Sequence, residues 1–398
     1  MKFEVNKDVF SEAVSFAVKL LPQRTTLPIL SGVLISAADG SVTISSFDYE
    51  VSATTKVSAT IDQPGKVLVS GRLLSEIAQR LPEESVSTRM LLEIDTRQPG
   101  EGVSLTLSGW SVSVVSGSAK FSLATMPVEE YPNLPEVDGV AGVVSGEDFS
   151  QAVGQVAPAA SRDDVTPVIT GVLLEVSSTA LVMMATDRYR VAAKQLSWSG
   201  EDVSAEGIQA LVPSRTLSEI GKTFAHTPKL TITLSTGGDR ELVAFSSEQR
   251  TVTTLLIKGS FPPVQKLFPE STPDYAVVST QDLIEATRRV ALVLEREAPL
   301  RYSFGADGVA LEALGSEKAQ ASEEINGHLV GKECVVSLKP QFLIDGLTAT
   351  HSEFVRVAFT QTDNPNKPGP VLLTAQAAKD GDHTEGYRYL LQPNLLMR

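Results

Sequence analysis

The sequence predicts an α+β protein assembled from three copies of one strand-rich unit, each unit carrying two helices. Three observations lead there. First, Thr26-Leu27-Pro28-Ile29-Leu30-Ser31-Gly32-Val33-Leu34 returns as Thr166-Pro167-Val168-Ile169-Thr170-Gly171-Val172-Leu173. Pro28 and Pro167, Gly32 and Gly171, and Asp48 and Asp187 each stand 139 residues apart, so one offset serves three landmarks. Second, residues 68–77 resemble 211–220, with Leu-Ser-Glu-Ile identical and Arg72 matched by Arg215. Residues 337–347 are a fainter third version, with Lys339 near the arginine position. Third, an amphipathic helix opens each of three stretches of strand-like pattern. Repetition at a fixed spacing marks copies built to stack on one another.

The first unit begins with the alternating strand 1–5. A helix is predicted over 7–21, with Val9, Phe10, Ala13, Val14, Ala17 and Leu20 on one face and Asn6 as its cap. Strands are predicted over 28–36, 41–47 and 51–61, with Ala38-Asp39-Gly40 turning between the first two. The second unit starts near Val143. There Ser145-Gly146-Glu147-Asp148 fits a capping box, and Phe149, Ala152, Val153, Val156 and Ala157 form an apolar face. In the third unit Ser279-Thr280-Gln281-Asp282 opens a helix striped by Leu283, Ile284, Thr287, Val290, Ala291 and Leu294. The first two units close on Tyr131-Pro132-Asn133-Leu134-Pro135 and Phe261-Pro262-Pro263, where proline blocks further strand pairing. The expected domains are 1–136, 140–270 and 274–398.

Composition narrows the function. With 398 residues, 42% apolar and 21% charged, the chain is long enough for several domains with real cores. No apolar run reaches the ~18 residues of a membrane span. The N-terminus lacks an apolar signal segment, and the one cysteine, Cys334, allows no internal disulfide. Together these suit a reducing cytoplasm. A net charge of −14 argues against coating nucleic acid with the whole surface, while leaving room for one basic face.

Catalytic chemistry finds no support. His226, His328, His351 and His383 lie far apart and show no metal-ligand spacing. No GxxxxGK[ST], GxGxxG or GxSxG occurs. Asp48 and Asp187 sit at matching corners of different copies, which makes them turn or cap residues rather than a carboxylate pair. No catalytic residue, cofactor or metal site is expected.

The three-fold repeat, Arg24-Thr25-Thr26-Leu27-Pro28-Ile29-Leu30, Thr186-Asp187-Arg188-Tyr189-Arg190 and the Phe261-Pro262 exit together resemble the bacterial DNA polymerase III beta subunit, the sliding clamp, in its actinobacterial form. The resemblance covers essentially the whole chain. It implies three clamp domains per chain, with antiparallel sheets outside and two helices per domain facing a central channel. It further implies a ring-shaped head-to-tail homodimer that encircles double-stranded DNA without sequence preference. Such a ring is a non-catalytic processivity factor and an antibiotic target. Its implied partners are the DNA polymerase III alpha subunit, the clamp loader and repair proteins, all bound through short peptides, with peptide inhibitors in the same groove.

The resemblance also assigns residues. Arg24, Arg72, Arg162 and Arg215 are DNA-contact candidates, each with the alternative of a plain solvated charge. The joint between chains falls to Phe121 with Lys120 on one side and Leu292, Val293, Glu323 and Glu324 on the other. Lys120 would pair with Glu323 or Glu324, and Leu292 has core packing as its alternative. The peptide groove takes Ile169, Thr186, Arg188, Tyr189, Arg190, Val191, Pro262, Lys266, Leu267 and Pro370, completed by Leu390, Leu391, Gln392, Pro393 and Asn394. Arg190 would pin the peptide, and Val191 and Leu391 have strand core as their alternative. The tail departs from the family pattern. Gln392 stands where a methionine usually sits, and Asn394 and Leu395 replace an apolar residue and an arginine. A more polar groove should rank ligands differently, as in a second, inhibitor-resistant clamp, although neutral drift explains the change equally well. Two readings from other classes are weaker. An exported carbohydrate-binding or adhesion protein is disfavoured by the absent signal segment and 6% aromatic content. An enzyme on a repeated scaffold lacks any constellation.

Overall fold

The structure is a computed structural model. It describes residues 1–21, 25, 27–82, 89–95, 111–200, 207–235, 241–295, 298–316, 319–360 and 368–394, with backbone alone for 89–95 and 314–316. Arg24 and Leu395 lie outside the described residues.

Six α-helices occur among the described residues: α1 Lys7–Lys19, α2 Gly71–Gln79, α3 Gly146–Val156, α4 Ser214–Thr223, α5 Thr280–Val290 and α6 Pro340–Thr350. They pack in consecutive pairs, giving two per repeat as the sequence predicts. Their starts are set by side-chain caps. Asn6 Oδ1 accepts the amides of Asp8 and Val9 at 2.9 and 3.2 Å. Ser145 and Ser279 accept those of Asp148 and Asp282 at 3.4 and 3.3 Å. These satisfy amides that the first helical turn leaves unpaired. The α1 stripe is rotated from expectation. Phe16 is buried and Val9 is exposed. The expected strand at 28–36 begins only at Gly32. Pro28–Ser31 is a 3₁₀ turn, and Pro167–Ile169 repeats it. Proline has no amide for a ladder and a φ suited to a helical first turn, so it delays the strand. No described helix is long and apolar enough to cross a membrane.

The chain forms two compact units, residues 1–143 with 226–256, and residues 144–225 with 257–398. Sheet continuity explains the division. In the first unit Arg250–Leu255, from the second repeat, pairs antiparallel with Val51–Ser58 from the first, Thr253 opposite Ser52. The core of this unit lies between α1, α2 and the strands, around Phe3, Phe10, Val14, Ile35, Ile44 and Leu74.

In the second unit the strand Arg190–Ser197 pairs antiparallel with His383–Leu391, so the second and third repeats share one sheet. Arg190 is opposite Leu391 and Val191 opposite Leu390. That sheet runs Ile208–Pro213, Gly171–Val176, Ala180–Thr186, Arg190–Ser197, His383–Leu391, Val371–Gln376, Phe354–Phe359, Asp274–Ser279, Gly327–Val330. A separate four-stranded sheet has Ala319–Ile325 at its edge. Several strands of the shared sheet are apolar on both faces. Val371, Leu372 and Leu373 are buried in succession, as are Val172, Leu173 and Leu174. One face takes the helices. The other needs a second cover, and residues 257–268 supply it.

Candidate functional site

The groove assigned by resemblance lies wholly within the second unit, at the seam between the second and third repeats. Its framework is the turn at 186–191. Asp187 Oδ1 accepts the amides of Tyr189 and Arg190, both at 3.1 Å. Thr186 Oγ1 donates to the Arg190 carbonyl at 2.7 Å. Arg188 is held at φ +79°, in the left-handed region. The first repeat makes the same turn. Asp48 accepts the amides of Glu50 and Val51 at 2.9 and 2.7 Å, and Tyr49 has φ +74°. Both aspartates are therefore turn-forming side chains.

Below the turn is an apolar floor of Leu173, Met184, Val191, Leu211, Val264, Phe268, Leu372 and Leu390, with Val168, Ile257 and Phe261 packed against it. Ile169, Thr186, Leu391 and Pro393 are also buried. Val191 thus resolves as strand core that doubles as floor, whereas Leu391, opposite Arg190 in the ladder, is strand core on the other face of the sheet. The exposed members are Arg188, Tyr189, Lys266, Leu267 and Gln392, while Pro262, Pro370 and Asn394 are half-buried. Tyr189 is 57% exposed and Leu267 55%, large apolar side chains left open to solvent. The Gln392 amide donates to the Tyr189 carbonyl at 2.8 Å, and the Asn394 amide to the Ser337 carbonyl at 2.8 Å, tying the tail to both repeats. The Gln392 side chain points to solvent, with its amide 3.5 Å from the Pro393 carbonyl. Val264 and Phe268 are floor residues that the sequence reading missed. Their i, i+4 spacing after Phe261-Pro262-Pro263 was the available signal.

Arg190 is turned into the protein. It is only 7% exposed. Its Nε donates to Asp187 at 2.8 Å, Nη1 to Asp345 at 2.6 Å and to the Tyr389 hydroxyl at 3.0 Å, and Nη2 to the Pro158 carbonyl at 2.6 Å. The Phe342 ring covers one face at 4.3 Å. Burial opposes the charge, but the Tyr389 oxygen and the Asp345 and Asp187 carboxylates outweigh it and hold the guanidinium above its ordinary pKa. Four of its five N–H groups are thus engaged within the chain.

The DNA-contact candidates separate. Arg162 and Arg215 are both exposed and line one cavity of about 920 Å³ between α3, α4 and the 157–164 segment, with Lys222 on the same wall. Asp164 and Glu219 share the lining, and Glu219 holds Lys222 at 2.8 Å. Arg72 is exposed on the first turn of α2 in the other unit.

The joint candidates lie on the strand Ala119–Met126, on the edge strand Ala319–Ile325 and on the 3₁₀ turn Ala291–Val293. In the first unit Ala119–Met126 pairs with Ser111–Ser116 through residues 119–124 and with Gly65–Ser70 only at Thr125 and Met126. Lys120 is exposed there, and Phe121 is half-buried against the core. In the second unit Leu292 is 83% exposed, which rules out core packing, and Val293 is half-buried. Glu323 is engaged within its own chain, since Arg289 donates to it twice, at 3.0 and 2.6 Å. That hydrogen bonding keeps the Glu323 carboxyl below its ordinary range. Glu324 is the exposed carboxylate of the edge.

Three family profiles match in order: the N-terminal domain of the DNA polymerase III beta subunit over residues 1–90 and 85–135, the central domain over 143–263, and the C-terminal domain over 265–381. The chain belongs to the DNA polymerase III beta subunit family. Relatives include the beta sliding clamp of Streptomyces coelicolor, 41% identical over 99% of both chains. That of Micrococcus luteus is 42% identical over 82% of this chain and 98% of its own. The beta sliding clamp homolog GriR of Streptomyces muensis is 33% identical over 99% of both. Among solved structures, the Bacillus subtilis clamp aligns with TM-score 0.85 at 24% identity over the full length of both chains. The Pseudomonas aeruginosa clamp bound to griselimycin aligns with 0.85 at 21%, also in full. As a beta subunit the chain is a sliding clamp, a non-catalytic processivity factor of DNA polymerase.

Proposed function

We propose that two copies of this chain join head to tail into a ring around duplex DNA, and that each offers one groove to short partner peptides. The three domains of the ring half are 1–136, 140–270 and 274–398. Retention on DNA comes from linkage, so contacts to phosphate stay loose and salt-sensitive. Arg162 and Arg215, on one cavity wall, and Arg72 and Arg24 supply them. The joint pairs the open edge at 119–124 with the edge strand 319–325 of the other copy. Phe121 meets Leu292 and Val293, and Lys120 meets Glu324, because Glu323 already belongs to Arg289. An exposed leucine at 83% on a rigid turn supports this assignment.

The groove carries the reading. Tyr189 and Leu267 stand exposed over an apolar floor that two repeats build jointly, the form of a site for a peptide with apolar anchors. The polymerase III alpha subunit, the clamp loader and repair proteins, at work in the cytoplasm, are the partners. The test of the whole reading is retention. Loaded on a nicked circle, the protein should remain until the circle is linearised. Equal loss from both forms would refute linkage.

Gln392 favours a second reading, a variant clamp that discriminates against apolar inhibitors such as griselimycin. Its amide is solvated in the free groove, and an apolar ligand would strip that water at a cost of about 1–3 kcal/mol. The 33% identity to GriR accords with it. Gln392→Met should tighten griselimycin binding about tenfold, and equal affinity would remove this reading.

A further inference from the structure

We propose that Arg190 is the positioning residue of the partner groove: it holds the exposed wall at Tyr189 and the floor at Val191 in register across the two repeats, without touching the peptide. The proposal rests on the groove reading above.

Several segments of the chain converge on the Arg190 side chain. Asp187 belongs to the groove turn, Pro158 to the segment after α3, Asp345 and Phe342 to α6, and Tyr389 to the tail strand. The first two come from the second repeat and the others from the third. Tyr389 closes the circuit by donating its hydroxyl to the Phe342 carbonyl at 2.9 Å. Arg190 therefore joins the groove turn and the segment after α3, both from the second repeat, to α6 and the tail strand of the third. A planar fork with several fixed donors can do this, whereas an ammonium offers one point of charge.

The next link is to the exposed wall. Phe342, stacked on the guanidinium, also faces the Tyr189 ring at 6.4 Å. The Lys339 ammonium lies 5.5 Å from the Tyr189 ring and 5.3 Å from that of Phe342. The order outward is thus guanidinium, Phe342, then Tyr189 with Lys339 beside both. On the chain, Arg190 separates Tyr189, which is wall, from Val191, which is floor. Moving the guanidinium moves both. The carboxylates of Asp187 and Asp345 are 13% and 25% exposed, and without Arg190 they would face each other unneutralised.

A direct contact and a positioning role make different predictions for a panel of ligands. The probes are a short synthetic peptide with the polymerase alpha subunit's apolar anchors, its single-alanine versions, and griselimycin. The variants are Arg190→Lys and Tyr389→Phe. The second is the milder, and Tyr389 is 1% exposed, so it cannot touch a ligand. Affinities are measured where circular dichroism shows both variants fully folded, so that a plain loss of stability leaves them unchanged. Positioning predicts a uniform loss across the panel, at least tenfold for Arg190→Lys and about threefold for Tyr389→Phe. Unchanged affinities overturn the proposal. So does a loss that vanishes for the one peptide lacking a particular side chain, which means direct contact. A ligand-free readout keeps the two readings separate. With fluorotyrosine incorporated and the Tyr189 line assigned through Tyr189→Phe, Arg190→Lys should shift or broaden that line. An unshifted line overturns the positioning role even where no peptide binds, whereas failure of wild-type protein to bind any peptide counts against the groove itself.

Discussion

Gly346→Ala tests how rigidly α6 and the tail strand are joined. Gly346 lies inside α6, where alanine gains about 1 kcal/mol of helix propensity over glycine. Packing opposes this. A Cβ there would stand 2.5 Å from two carbons of the Tyr389 ring and 3.0 Å from Leu373 Cδ1. Carbon contacts settle at roughly 3.5–4.0 Å, so the ring must retreat by about 1 Å. Its hydroxyl is bonded to Arg190 at 3.0 Å and to the Phe342 carbonyl at 2.9 Å, and such a retreat stretches both beyond useful length. Overpacking costs about 1–3 kcal/mol and each lost bond roughly 0.5–1.5 kcal/mol, more where a charge is involved. The expected net is a loss of about 1–5 kcal/mol. Two compact units make a single transition unsafe to assume, so guanidinium unfolding should be followed through Trp198, 5% exposed and in the same unit. A midpoint at or above the wild-type value would mean that propensity wins and Tyr389 has room, and the reasoning would fail.

Leu292→Asp should change folding by less than about 0.5 kcal/mol, because the side chain is 83% exposed, yet convert dimer to monomer in light scattering. A dimer that survives would remove Leu292 from the joint. Arg162→Glu with Arg215→Glu, both on the 920 Å³ cavity, should weaken loading on DNA and flatten its salt dependence. An unchanged salt slope would make them ordinary surface charges. Burial pushes the Tyr131 hydroxyl up to about 12 from 10. Below pH 10 both states keep the proton; between 10 and 12 only the unfolded state ionises, so this group's contribution falls as pH rises, by about 2–3 kcal/mol at most. Tyr131→Phe should lack that loss, and a wild-type-minus-variant stability difference that stays flat from pH 10 to 12 would refute it.

The fold was legible because its signals are local or periodic. Asn6, Ser145 and Ser279 cap helices as their sequence spacing predicts, and an offset shared by proline, glycine and aspartate reports equivalent turns without any structure. The compact units were not legible. They depend on which strand Arg250–Leu255 finds, and a strand pattern carries no record of its distant partner. For the groove, the sequence names a set of residues but not the partners each of them takes. Sequence position puts Arg190 beside Tyr189, but nothing local says that its fork is used up by Pro158, Asp345 and Tyr389, the last of them 199 positions away. The same holds for Glu323, whose partner Arg289 is 34 positions away on α5.

The two copies of the turn are built alike and packed differently. Asp48 and Asp187 bond the same two amides, and the residues after them share the left-handed conformation. Beneath the first turn, Phe47, Leu68 and Tyr131 gather with Ile29, Leu34, Met126 and Val128, and the Tyr131 hydroxyl reaches the Gly32 carbonyl at 3.4 Å. Large rings fill that space from within. In the second copy the position of Phe47 is Thr186, a small residue whose hydroxyl serves the turn itself. The position of Val51 is Arg190, which turns toward α6 and the tail instead of closing over the floor. The second copy thus replaces a ring with a hydroxyl that serves the turn, and an aliphatic with a guanidinium that joins the turn to α6 and the tail strand.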